Sequence, residues 1–555
     1  MNKSLFSSAP AGQISPNTDT VNAAGGIAYD RGPEGELANL VLTGTLNTTF
    51  YVNATEQLSQ IIELCSKVSL EFVAKLAVYA RSKGFMKDTP AVLLAWLAAQ
   101  KTEDSRKLLT LAFPKVIDNG KMLRNFVQAV RSNQLGRKSF GSHSKRLIAQ
   151  WLESRRDDQL FNDSVGQTPS INDIIKMVHP KAVRKEREAL YGYLIGRLGF
   201  TTSELATLPE ADRKRSYNSD NLPRFVKQYE AYKVSKVGNE VPNVDFRLLS
   251  SLDLDTSEWT QIAKNANWHT TRMNLNTFQR HGVFADSKVV ELIANKLKDP
   301  ESIRKSKVFP YQIMQAFQSV EDTIPHLIKE ALQDAMEIAT ENVPTFGPDC
   351  RVVVCPDVSG SMKSPVTGNR GTATSKTTCV DVAALVTAVV LRQNRHAVCL
   401  PFEIEVKPIS LNPRDSVMTN AQKLASLGGG GTAVSAPFKL LNTDKTKKVD
   451  LVIVVSDNAS WADVHGEQQQ YDYQTGKYGP SQTMIEWNKL KVTNPKAKLV
   501  IIDIQPGSGS QVKTDRFDIL SISGWNDTVF EVINQFHDGS LHGNGLVKSV
   551  ETVVL

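Results

Sequence analysis

The sequence predicts a multidomain α + α/β chain, a long series of stacked helices followed by a doubly wound parallel-sheet domain. Three observations predict it. A chain of 555 residues exceeds what one hydrophobic core usually holds. From about Ala54 to Glu341 apolar residues recur at helical spacing, with strand signals nearly absent. Beyond the Pro- and Gly-containing stretch Asn342 to Cys350, short β-branched runs alternate with helices.

In the first half, Gln57 to Ser82 carries Leu58, Ile61, Ile62, Cys65, Val68, Val73, Leu76 and Tyr79, close to a 3.6-residue period. Segments at Ala91 to Lys101, Leu108 to Ile117, Met122 to Asn133 and Ser144 to Glu153 follow, separated by short breaks. Ile171 to Val178, Lys181 to Leu198, Arg224 to Lys236, Ser287 to Leu297, Pro310 to Ser319 and Ile324 to Thr340 continue the style. Short helices in long succession suit stacked helical pairs, since each pair buries its apolar face only against the next.

In the second half, strands are expected at Arg351 to Cys355, His396 to Leu400, Val449 to Ser456 and Ala497 to Ile504. Helices are expected at Thr378 to Gln393, Ser416 to Leu427, Ala433 to Leu441, Ser481 to Lys491 and Asp527 to Phe536. Continuous apolar strands between helices imply a parallel sheet covered on both faces. Residues 1–29 are polar and small and read as a flexible segment without an apolar signal core. Gly466 to Tyr478 reads as a surface excursion.

Composition narrows the function classes. The longest apolar stretch, Val380 to Leu391, is too short and too polar to span a bilayer. Five cysteines form no CxxC pair, so a reducing, cytoplasmic setting is expected. Nine histidines show no zinc spacing, and His537 with His542 reads as a polar helix end. The segment Gly371 to Thr377 lacks the second glycine of a phosphate loop. The net charge of +7 is concentrated: Lys121 to Arg197 holds 15 Lys and Arg against 7 Asp and Glu, whereas Arg351 onward holds 21 against 19. A local cationic surplus of this kind fits an anionic partner, nucleic acid above all.

The chemistry-bearing residues of the second half lie where strands end, which is where open α/β sheets bind ligands. The first strand runs into Asp357-Val-Ser359-Gly-Ser361, whose alternation puts one carboxylate and two hydroxyls on one side. A run of four glycines, 428–431, leads to Thr432, and the strand Val449 to Ser456 ends at Asp457. These are hard oxygen donors, suited to Mg²⁺, with Mn²⁺ as the alternative. Few protein charges leave an ion an open position for an acidic group from outside. A two-metal nuclease would need further carboxylates and a general base, and neither is evident. No enzymatic activity is expected.

The order DxSxS, Gly-Thr loop, strand-terminal Asp resembles the metal-ion-dependent adhesion site of von Willebrand factor A-type domains. Asp457-Asn458-Ala459-Ser460 departs from the Asp-Gly common there but keeps the carboxylate. In the first half, Leu46-Asn-Thr-Thr-Phe-Tyr51, Leu76-Ala-Val-Tyr-Ala-Arg-Ser-Lys-Gly84 and Asp88-Thr-Pro-Ala with Leu93-Leu-Ala-Trp-Leu97 resemble the TROVE module of the Ro autoantigen family, as do Ile171 to Pro180 and Arg272-Met-Asn274-Leu-Asn276. The resemblance implies a HEAT-like helical-repeat ring over 30–345 and a Rossmann-like A-type domain over 346–555. It also implies a scaffold that binds small structured non-coding RNA (Y RNA-like) outside the ring and single-stranded ends of misfolded RNA in its channel, for RNA quality control.

The basic stretch supplies residues for that role. Arg131, Arg137, Lys138, Lys145 and Arg146 form one cluster, and Lys176, His179, Lys181, Arg184, Lys185 and Arg187 a second. Cations at successive helix starts, with backbone N–H groups, contact phosphate and read shape more than sequence. Arg272, Asn274, Arg280 and His281 are weaker candidates for lining a channel. Trp96 and Trp268 read as packing residues. Expected partners are RNA and, through the metal site, an exoribonuclease or another protein; no DNA, no membrane and a monomeric protein are expected. The alternative is a protein-interaction adaptor without an RNA role.

Overall fold

The computed structural model describes the chain except residues 1–14, 45, 50–51, 137, 167, 237–239, 307, 344, 348, 458, 464–475, 506, 526–528 and 542–544. Arg137, Asn458, His542 and most of the 466–478 excursion therefore lie outside the described residues.

Five apolar runs build the sheet: β1 (Val352–Pro356), β2 (Val398–Cys399), β3 (Leu451–Ser456), β4 (Lys498–Asp503) and β5 (Ile519–Ser523). Every residue of β1 and β3 is buried, as for strands covered on both faces. Their order is β2-β1-β3-β4-β5 and all neighbours are parallel. One side of the core packs Val452, Val454, Leu499 and Ile501 with Phe438 and Trp487. The Trp487 indole donates to the Asp518 carboxylate at 3.1 Å, which satisfies its buried N–H. The strand β5 has no counterpart among the expected strands; Ile519-Leu-Ser-Ile-Ser is short and half polar, as suits a sheet edge.

The helical half forms largely as its periodicity indicates, with one shortening and one division. The helix expected at Lys181 to Leu198 runs only Lys185–Leu194, and Leu198–Phe200 is a strand paired with Ser216–Asn218. The expected helix Gln57 to Ser82 is two, Ala54–Lys67 and Leu70–Ser82. Val68 is extended and the Ser69 side chain accepts from Phe72 N–H, capping a new helix. The chain parts into two units at the same point. One holds the chain up to Val68, 271–276 and 290–552; the other holds 69–270, 277–289 and 553–555.

That division differs from the expected boundary near 345. Helices Pro310–Ser319 and His326–Ala339 belong to the sheet-containing unit. There Gln393 Nε2 donates to the Thr340 carbonyl at 2.7 Å, and Glu337 accepts from Val417 N–H at 2.6 Å. The expected flexible segment is corrected in its described part, 15–29. Thr20–Val21 and Ile27–Ala28 form a hairpin, and Ile27, Ala28 and Tyr29 are buried. Tyr29 exchanges backbone hydrogen bonds with Ser510 at 2.8 and 2.9 Å. Small polar residues fold here because the sheet unit supplies their partners.

In the second unit, five helices carry the basic stretch: α1 (Gly120–Arg131), α2 (Gly141–Ser154), α3 (Asp157–Asp163), α4 (Ile171–Val178) and α5 (Lys185–Leu194). On α1, Met122, Leu123, Phe126, Val127 and Val130 are buried, one helical face turned inward. α1 and α2 both pack on α4. Among the described residues, no helix is long and apolar enough to cross a membrane.

Candidate functional site: an oxygen cluster and a basic helix surface

Three loops meet at the carboxyl ends of β1 and β3. The β1 strand delivers Asp357, whose N–H donates to the Val455 carbonyl at 2.9 Å. Asp357 Oδ1 accepts from Ser359 N–H at 2.9 Å, and Oδ2 accepts from the Ser456 hydroxyl at 2.6 Å. The Ser359 and Ser361 hydroxyls stand 3.3 Å apart, and the Ser361 side chain hydrogen-bonds Asp457. The glycine run approaches as only glycine allows. Gly428 has φ +113°, and a Cβ there would stand 2.0 Å from the Val358 carbonyl oxygen. Gly360 N–H donates to the Gly430 carbonyl at 3.1 Å. Thr432 is buried, and its carbonyl accepts from Trp461 and Ala462 N–H and from the Ser460 hydroxyl.

Burial and like charge act together here. Asp357, Ser359, Ser361, Thr432 and Asp457 are all buried. Burial and then the neighbouring Asp457 push the Asp357 carboxyl up to about 7. Burial also raises Asp457. Asp457 Oδ2 is buried without a hydrogen-bond partner among the described residues, an arrangement that costs free energy unless a cation or proton completes it. The residues present thus fit a small divalent ion. With two carboxylates it is not a cluster of three or more acidic, His or Cys ligands, and none occurs among the described residues.

Two residues beside this cluster went unread in the sequence. Ser456 was legible, as the last strand residue before Asp457. Asp503 ends β4 as Asp457 follows β3, and pairs in register with Ser456; burial raises it to about 7, against the opposing pull of Arg31. Arg31 holds Asp503 at 2.9 Å with both side chains buried, and no local sequence pattern announces that pair.

The basic stretch separates into two kinds of cation. Arg131, Lys138, Lys145, Arg146, Lys176, His179, Lys181 and Lys185 are exposed or partly exposed. The two sequence clusters meet where Arg131, at the end of α1, reaches Met177 Sδ on α4; hydrogen bonds from Ser170 hold Asp173 below the usual carboxylate range, with smaller help from Lys176 and Arg131. His179 caps α4 in the left-handed conformation, φ 52°, its N–H donating to the Ile175 carbonyl. On α2, Leu147, Ile148, Trp151 and Leu152 face inward, leaving Lys145 and Arg146 outside.

Arg187 is a correction. Its side chain is buried, bonded to Asp157 at 2.7 Å and to the carbonyls of Leu152 and Arg155 at the end of α2. It satisfies helix-end acceptors and is closed to a ligand. Arg184, half-exposed, shares Asp157 at 3.0 Å. The channel candidates also change. Arg272 is buried and donates to the Gln312 carbonyl, so it braces packing. Asn274 is half-buried, with its N–H on the Thr271 carbonyl. Arg280 is exposed, and His281 stacks on the Trp259 ring with centroids 4.1 Å apart. Trp96 and Trp268 are buried.

The comparisons with known proteins agree with this architecture. The TROVE domain family matches residues 240–399, and the Ro60 vWA domain family matches 351–537. The RNA-binding protein RO60 of Deinococcus radiodurans is 23% identical over 549 residues, 94% of this chain and 95% of that protein. The RNA-binding protein RO60 of Caenorhabditis elegans is 20% identical over 497 residues, 87% of this chain and 70% of its own. Both are named for binding, not for catalysis. The crystal structure of the D. radiodurans RO (RSR) protein superposes with a TM-score of 0.59 at 20% identity, covering 92% of this chain and all of that one. With a helical half and a five-stranded parallel sheet, this chain carries regions that match the TROVE domain and the Ro60 vWA domain and is similar to Ro proteins along most of its length.

Proposed function

We propose that this protein is a non-catalytic RNA-binding scaffold that grips phosphate with the exposed cations of α1, α2 and α4 and of the segment leading into α5. One observation carries the reading: Arg131, Lys145, Arg146, Lys176 and Lys185 on these helices, and Lys138, His179 and Lys181 on the segments between them, reach solvent, while Arg187 and Arg155 take the ion pairs that hold the helices. Such contacts give affinity and register without base readout. The ligand is a small structured RNA of the Y RNA type, and loose single-stranded ends of misfolded RNA occupy the channel that family resemblance implies. The setting is cytoplasmic.

The oxygen cluster binds Mg²⁺, with Asp357, Ser359, Ser361, Thr432 and Asp457 as its holders and Mn²⁺ as a substitute. When bound, the ion supplies an open coordination position for an acidic side chain of a protein partner, an exoribonuclease among the candidates. The chain's own hydroxyls and carboxylates orient that position and keep it small.

Crosslinking the native protein to cellular RNA, then sequencing the RNA and mapping the crosslinked residues, tests the reading. Crosslinks should concentrate at 131–146 and 176–185. A chain isolated free of nucleic acid and without such crosslinks favours a protein-interaction adaptor instead.

A further inference from the structure

The loops that form the oxygen cluster are held from behind by the start of the chain. Asn22 is buried at the tip of the hairpin, and its Nδ2 donates to the Ser460 carbonyl at 2.7 Å. The same side chain accepts from Ala24 and Gly26 N–H at 3.0 and 2.9 Å, which fixes the turn. Gly26 lies so close that a Cβ would stand 2.0 Å from the Ser460 carbonyl oxygen. Ser460 is three residues beyond Asp457, and its hydroxyl donates to the Thr432 carbonyl at 3.2 Å. One continuous path thus runs from Asn22 through Ser460 to both the Asp457 loop and Thr432.

A second tie lies alongside. Arg31 holds Asp503, whose Oδ1 is buried without a partner among the described residues, and Asn39 Nδ2 donates to the Gly507 carbonyl at 3.0 Å. Asn22, Asp457, Asp503 and Gly507 together line one very small, partly open pocket beside the cluster. None of these strap residues is an oxygen ligand candidate, yet each fixes a loop that carries or adjoins one.

We propose that the N-terminal hairpin, through Asn22 and Gly26, is a positioning element for the oxygen cluster, so that its docking and divalent-ion binding strengthen each other. The inference rests on the divalent-ion reading above. Groups that orient a metal's ligands change affinity by about ten- to a hundred-fold when lost. Linkage is reciprocal: if the hairpin tightens ion binding, the ion tightens hairpin docking by the same factor.

The test uses the full chain and Mn²⁺ as probe. Mn²⁺ affinity is read from the electron paramagnetic resonance of the free ion, and hydrogen exchange is followed at residues 20–29 with and without Mn²⁺. Asn22→Ala and Gly26→Ala should each weaken Mn²⁺ about ten-fold. Ser15→Ala, which removes only the bond to Asn488 Nδ2 at the far end of the strap, should stay within about two-fold, below the range expected of ligand-orienting groups. In the unaltered chain, Mn²⁺ should slow exchange at 20–29, a readout independent of whether any variant folds. Unchanged affinity in folded Asn22→Ala and Gly26→Ala, or exchange at 20–29 indifferent to Mn²⁺, overturns the positioning role alone. Failure of the unaltered chain to bind Mn²⁺ overturns the ion reading and this inference together.

Discussion

Arg187 and Asp157 form a buried ion pair, Nε to Oδ1 2.7 Å, at the point where α5 crosses the end of α2. Removing the guanidinium leaves Asp157 to the half-exposed Arg184 alone and strands two helix-end carbonyls. Arg187→Ala should destabilise the helical unit by about 3 kcal/mol, the usual cost of breaking a buried pair. Thermal or urea denaturation measures it. The salt dependence of RNA binding by the remaining folded protein should not change, because this cation never meets phosphate.

Lys145 and Arg146 should behave in the opposite way. Both are exposed on the outer face of α2, so replacing them with Ala should leave stability nearly unchanged. Every phosphate that goes unneutralised reduces the slope of log affinity against log salt by roughly 0.7 to 0.9. The double variant should therefore bind RNA more weakly and with a slope smaller by about 1.5. Filter binding across a salt series decides; an unaltered slope removes α2 from the interface.

The oxygen cluster should titrate against its ion. With Asp357 pushed up to about 7, the proton competes with a divalent cation near neutrality. Mn²⁺ affinity should fall as pH is lowered from about 8 to about 6, across that value. For the ion-free protein the sign follows from a raised carboxyl. Between about pH 4, its unfolded value, and about pH 7 the folded state keeps a proton that the unfolded state releases. Stability therefore declines as pH rises through that window, and saturating Mn²⁺ should restore it above about pH 7. Calorimetry at about pH 5 and about pH 8, on either side of the folded value, with and without Mn²⁺, is the measurement.

Asp357→Asn removes the buried negative charge and one ion ligand together. Mn²⁺ binding should drop at least about ten-fold, the loss expected when a group serving the metal is removed. The ion-free protein should become more heat-stable at about pH 8 and little changed at about pH 5, where Asp357 already holds its proton.

Gly428→Ala tests the loop architecture separately from charge. Its Cβ would meet the Val358 carbonyl at 2.0 Å, and φ +113° disfavours any side chain. The Asp357 to Ser361 loop must shift, so Mn²⁺ affinity should fall while RNA binding holds. Equal Mn²⁺ binding would show that the loop has slack.

Much of this molecule was written locally. Apolar runs ending in Asp357 and just before Asp457 place carboxylates at strand ends, because a strand that must be buried stops where its side chains turn hydrophilic. Helical periodicity at Met122 to Val130 marks the inward face for the same reason. Tertiary structure decided what spacing cannot encode. Lys185 and Arg187 are two residues apart, yet about 100° of rotation per residue sends one to solvent and the other beneath α2, where Asp157 waits. Asn22 and Ser460 are 438 positions apart, and Arg31 and Asp503 are 472. A hydrogen bond or buried charge pair across that distance depends on which surfaces the folded core presents to each other, and that is a property of packing rather than of neighbouring residues.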